Sequence, residues 1–154
     1  MNKNFLYQFL RKQKLAVLAT IAADGSPQCA LVGFAVTPEL EIVFDTVSTS
    51  RKYANLMTNA KAAFVIGWEH EVTVQYEGVA QQLRGDNAQA YKRVYFSAWP
   101  DGPEREKWPK HRIFSGASAM DSLQRFQSGI VQDRRNAGVM QSPFNRPVIS
   151  GLRR

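Results

Sequence analysis

Residues 44–67 read Phe-Asp-Thr-Val-Ser-Thr-Ser-Arg-Lys-Tyr-Ala-Asn-Leu-Met-Thr-Asn-Ala-Lys-Ala-Ala-Phe-Val-Ile-Gly, and this stretch decides how the chain is organised. An apolar strand ends in hydroxyls at Thr46, Ser48, Thr49 and Ser50. Arg51 and Lys52 follow at once and open a short amphipathic helix to Thr58, after which a second apolar strand, Ala62 to Trp68, begins. Ser50 is placed as an N-cap, so helix amides, the positive end of the dipole, two side-chain cations and several hydroxyls converge on one spot. Cations at a helix N-terminus oppose the dipole and are mildly unfavourable there without an anion. The pattern points to a phosphate.

Strand patterns extend on both sides. Asn4 to Gln13 has the apolar spacing of a helix, and Leu15 to Ala22 is a continuous apolar run, as in a strand buried on both faces. Asp24-Gly25 makes a hairpin turn into strands at Cys29 to Val36 and Glu41 to Asp45. Val72 to Ala80 alternates like a half-buried strand, and Asn87 to Ala98 is an aromatic-rich helix broken by Trp99 to Pro103. Closely spaced strands with few helices imply a mainly β fold, an antiparallel barrel rather than a βαβ sheet.

Composition narrows the function. The net charge is +7, but residues 1–110 hold 13 Lys+Arg against 11 Asp+Glu, while residues 111–154 hold 7 Arg, 2 Asp and neither Lys nor Glu. The excess belongs to the tail, and the strands lack the interleaved cations and aromatics of an oligonucleotide-binding barrel, so nucleic acid is not expected as a partner. No apolar run approaches membrane-spanning length. Leu15 to Ala23 behind Lys12 and Lys14 loosely resembles a signal-peptide core, but a helix precedes it and a strand follows. The single cysteine, Cys29, excludes an internal disulfide framework and says little else about compartment; cytoplasmic is the default expectation. No Ser-His-Asp, metal-ligand or paired-carboxylate constellation stands out, which fits chemistry carried by a cofactor. His70, in a Glu-His-Glu turn, reads as solvent-facing, and Trp68, Trp99 and Trp108 as core or interface residues.

Taken in order, Leu15-Ala16-Val17-Leu18-Ala19-Thr20 with Asp24-Gly25-Ser26-Pro27, then Asp45-Thr46 with Thr49-Ser50-Arg51-Lys52, then Thr73-Val74-Gln75-Tyr76-Glu77-Gly78, resemble the FMN-binding split-barrel proteins related to pyridoxamine 5′-phosphate oxidase. The resemblance covers residues 3–110 and implies a six-stranded antiparallel split β-barrel, a homodimer with an FMN in each of two interface clefts, and flavin-dependent oxidoreductase chemistry. By position, Thr46, Ser50, Arg51 and Lys52 would hold the FMN phosphate. The strand carrying Ala30, Leu31, Val32 and Gly33 would lie along the isoalloxazine, with Thr73 or Gln75 reaching the ring or ribityl from the other side. The substrate would be a small molecule, with NADH or NADPH as candidate reductant.

The departures from the family shape that expectation. In the true oxidase the corresponding strand begins with arginine and ends with lysine; here Cys29 and Phe34 stand there, and the Arg and His residues that take a pyridoxal phosphate ester have no counterpart. The resemblance therefore implies a related flavoprotein with another substrate. Its alternatives are a non-catalytic module binding flavin or haem, and the deazaflavin F420 in place of FMN.

The family continues after the position of Trp108-Pro109 with a final strand that is missing here. It reads as tyrosine-phenylalanine-(Arg/Lys)-Val-x-Pro-x-Trp-Ile-Arg-Tyr-Ser-Asp-Phe. Permitted codons for residues 111–129, read one nucleotide later, give IEYFRVRPRWIRYSDFNQE. At Met120-Asp121 there is no codon choice: ATG followed by G gives the tryptophan codon TGG. The expectation is a frameshift in the gene or in its recorded sequence. It divides the chain into a split-barrel domain, 1–110, and an atypical basic tail, 111–154, that lacks the proper last strand and packs poorly.

Overall fold

The computed structural model describes residues 2–69 and 72–117. Its elements are α1 (Lys3–Leu10), β1 (Leu15–Ile21), β2 (Pro27–Val36), β3 (Ile42–Val47), α2 (Arg51–Thr58), β4 (Lys61–Ile66), β5 (Val74–Gln82), α3 (Asn87–Ala98), α4 (Gly102–Glu106) and β6 (His111–Ala117). The strands close into a barrel in the order β1-β2-β3-β6-β5-β4, with β4 pairing back onto β1 and every pair antiparallel. The β1–β2 hairpin turns where expected: Gly25 takes φ 85°, and Asp24 Oδ1 accepts from the Ser26 amide at 2.9 Å.

Alternation sends one face of each strand inward. Leu18, Phe34, Ile42, Phe44, Phe64, Ile66, Tyr76 and Phe114 fill the barrel, joined by Leu6 and Leu10 of α1 and Leu56 of α2. Phe44 lies nearly parallel to Phe114 at 5.4 Å and edge-on to Phe64 at 5.6 Å. Outside, α3 covers β2, β3 and β6: Tyr95 packs with Ala35, Val43 and Ile113.

Two expectations are corrected. β1 is not buried on both faces: Ala16, Leu18 and Thr20 point inward, while Leu15 is 38% exposed and Val17 and Ala19 are half-buried. Its apolar run feeds two faces, one buried in the barrel and one partly exposed. The barrel also does not stop at Lys110. His111–Ala117 pairs with β3 from Val47 to Ile42 and with β5 from Gln82 to Val79, closing the barrel around Phe114. Phe114 packs into the barrel interior and Ile113 into the cluster under α3. The expected poor packing of the tail beyond Ala117 lies outside the described residues.

Candidate functional site

The barrel splits at one seam. β2 pairs with β3 only at Phe34, Ala35 and Val36, although both strands run on. Phe34 donates its amide to Lys14 O on the β1 side, 3.2 Å, so ladder alternation turns the main-chain groups of Cys29, Leu31 and Gly33 to the opposite edge, which β3 has left. α2 wedges into the divergence, and between them lies a cavity of about 250 Å³ lined by Thr20, Gln28, Cys29, Ala30, Ser50, Arg51 and Lys52.

Ser50 caps α2 as expected, its Oγ accepting from the Tyr53 amide at 3.2 Å. Thr46 is buried, does not line the cavity, and sets its hydroxyl 2.9 Å from that of Ser50. When Thr46 donates to Ser50, the Ser50 proton is free to point at a ligand. Arg51 is exposed and Lys52 half-buried; among the described residues neither makes an ion pair. The cavity lining carries no carboxylate. Two cations and a capped helix N-terminus surround an acid-free hollow, an arrangement whose positive potential is complementary to an anion.

The remaining expected residues divide. Ala30 lines the cavity, Val32 points into the barrel core, and Leu31 is 59% exposed on the outer face. Gly33 is covered: a Cβ there would stand 2.7 Å from Cζ2 of Trp99, whose Nε1 donates to Phe34 O at 3.0 Å. Gln75 pairs with Val65, Val65 with Val17 and Val17 with Leu31, so Gln75 lies three strands from β2 on the outer face, and Thr73 just precedes β5. One chain thus gathers Thr46, Ser50, Arg51, Lys52 and Ala30, and does not bring Thr73 or Gln75 to them.

Two features escape a linear reading. Asn55, on α2, is buried beneath the cavity and bonded to Thr20 and Gln28. Its signal, a polar residue on the inward face of an amphipathic helix, was present in the periodicity. The second is an ionic cluster behind the seam. Asp45 Oδ2 accepts from Arg105 Nη1 at 2.9 Å and from His111 Nε2 at 3.0 Å, tying β3 to α4 and β6. Burial first, then the Asp45 charge, pushes the neighbouring Tyr95 phenol up. His111, expected in a loose tail, is thereby held with its side chain 5% exposed. His70 lies outside the described residues. Of the tryptophans, Trp99 is a packing residue as expected, whereas Trp68 and Trp108 are half exposed.

A family profile for pyridoxamine 5′-phosphate oxidase matches residues 4–117. The pyridoxine/pyridoxamine 5′-phosphate oxidase of Bordetella avium is 33% identical over 92 residues, 59% of this chain and 42% of that one. The chain spans less than half the length of the curated relatives it matches. Among solved structures, a heme binding protein from Mycobacterium smegmatis superposes with TM-score 0.65 at 16% identity, over 75% of this chain and 50% of that one. HutZ, the heme storage protein of Vibrio cholerae, superposes with TM-score 0.61 at 17% identity, over 72% and 85%.

Proposed function

For a chain that belongs to the pyridoxamine 5′-phosphate oxidase family, we propose an FMN-dependent oxidoreductase acting on a small molecule other than a pyridoxal phosphate ester. The observation that carries this reading is the acid-free cavity at the barrel seam with Arg51 and Lys52 unpaired among the described residues. Ser50, Arg51 and Lys52 would hold the phosphate, with Thr46 orienting Ser50 from behind. The main-chain groups of Cys29 and Leu31 line the open strand edge, where a flat polar ring finds donors and acceptors without side-chain help. Bound flavin supplies hydride or electron transfer. The protein's share is to bind it, orient it and keep water from it.

A second copy of the chain belongs to this reading. Leu15, Leu31, Val65 and Val79 leave an apolar outer face on β1, β2, β4 and β5, with Gln75 in the same row and Thr73 beside it. Covering that face would bring one protomer's Gln75 side to its partner. A haem-binding module is the second reading, prompted by the described function of two structural neighbours. Among the described residues, however, the one imidazole is that of His111, already engaged by Asp45. A cytoplasmic location accompanies the enzyme reading; no helix among the described residues is long and apolar enough to cross a membrane.

Flavin-fluorescence titration tests the proposal. Charge-assisted hydrogen bonds contribute roughly 1.5–3 kcal/mol each, so the Arg51→Ala/Lys52→Ala variant should bind FMN at least tenfold more weakly. Unchanged affinity refutes the site. Reduction of bound flavin by NADH or NADPH separates an enzyme from a passive binder, and a haem titration read by absorbance tests the second reading.

A further inference from the structure

We propose that Gln28 is a binding residue of the seam cavity, with its side-chain amide held by Asn55 so that the Nε2 donors face the ligand. This deepens the phosphate reading of the same cavity and rests on it. Asn55 Nδ2 donates to Thr20 Oγ1 at 2.9 Å and to Gln28 Oε1 at 3.0 Å. Thr20, itself buried, sets its hydroxyl 3.5 Å from the main-chain carbonyl of Gln28, at the outer limit of a hydrogen bond. In this arrangement Thr20 Oγ1 accepts from Asn55, whose amide presents its nitrogen to both partners.

The assignment propagates. An Nδ2 donor can be met only by the oxygen of Gln28, and turning the Gln28 amide over would set N–H against N–H in a half-buried place. The Nε2 end of Gln28 is therefore left for the cavity that the residue lines, and among the described residues it has no partner. The lining then offers hydrogens from Gln28, Ser50, Arg51 and Lys52, with no carboxylate to accept one. Such a surface favours an ionised phosphate ester, whose oxygens accept from all four side chains. A ligand group that must donate finds no carboxylate to receive its hydrogen. Asn55 touches no ligand; it is a positioning residue, acting through Gln28.

The test uses the full-length, ¹⁵N-labelled protein, titrated first with inorganic phosphate and then with FMN. The Gln28 side-chain NH₂ signal, identified by its loss in Gln28→Glu, should shift with saturable phosphate binding. Gln28→Glu, which replaces donors with acceptors and adds a negative charge, should weaken phosphate binding about tenfold or more. Asn55→Ala should weaken it several-fold in the native background and not further in Gln28→Ala, a coupling that a purely structural Asn55 would not show. If Asn55→Ala does not fold, the native titration and Gln28→Glu still decide. A Gln28 signal that stays fixed while phosphate binds overturns the proposal, as does absence of binding by both probes. Phosphate binding that moves Gln28, with FMN failing to bind, sinks the flavin reading and leaves this one standing.

Discussion

Trp99 donates its indole Nε1–H to the main-chain carbonyl of Phe34, 3.0 Å away, and thereby fastens the end of α3 to β2 beside the barrel seam. Cations lie over its ring, Arg105 at 5.3 Å from the centroid and Lys14 at 5.6 Å, while Lys14 also donates to Ala98 O. The glycine at position 33 is what lets the indole come so close.

Gly33→Ala should therefore destabilise the fold by about 1–3 kcal/mol, since the new methyl overlaps a ring that is held on several sides. Trp99→Phe should cost less, about 1 kcal/mol for the lost hydrogen bond. Urea midpoints of the two variants check the ordering.

The Tyr91 phenol donates to Glu41 Oε2 at 2.7 Å, and that bond first, burial second, pushes its pKa up to about 12. Because the folded value lies above the unfolded one of about 10, the stabilisation is complete below about pH 10 and is lost as pH rises through about 12. The native protein should lose stability steeply over that window, and Tyr91→Phe less steeply. Denaturant midpoints measured across the window check the sign.

Light scattering at micromolar concentration should return the mass of two chains for the native protein with FMN present. Leu31→Arg combined with Val65→Arg places charge on either side of Val17 on the uncovered outer face and should return one. A native monomer would discard the homodimer.

The frame expectation predicts a one-nucleotide shift near codon 110, and resequencing together with the intact-protein mass decides it. Two inward positions of β6 can be compared between the frames. Position 114, which stacks on Phe44, is phenylalanine in both frames. Position 116 faces the core as glycine here, and a Cβ would meet only ordinary contacts, the nearest Ile42 O at 3.7 Å; the other frame places valine there. In the present chain Gly116→Ala should stabilise by about 0.4–1 kcal/mol, measured by thermal unfolding.

What could be read from the sequence follows from where the determining forces are local. Arg51–Thr58 and Asn87–Ala98 stand as expected because the Ser50 cap of the first and the apolar periodicity of both act within one helix. The phosphate cluster was legible for the same reason: Ser50, Arg51 and Lys52 are neighbours in the chain. β6 was not, since His111–Ala117 has only Ile113 and Phe114 as large apolar residues and owes its place to hydrogen bonds from β3 and β5. Gly33 receives Trp99 on one face, a contact across 66 positions that no local pattern encodes. Asn55 and Gln28 met the same obstacle, being brought together by the wedge of α2.

The divergence of β2 from β3 separates two burdens that most pockets combine. None of the residues around the hollow belongs to the hydrophobic clusters that hold the barrel together. Cys29 and Ala30 can change without disturbing the Phe44–Phe64–Phe114 interior, so natural variation at the seam is free to explore new ligands while folding stays under separate control. A scaffold built this way can diversify its chemistry by drift in a handful of positions, with little selection against the intermediates.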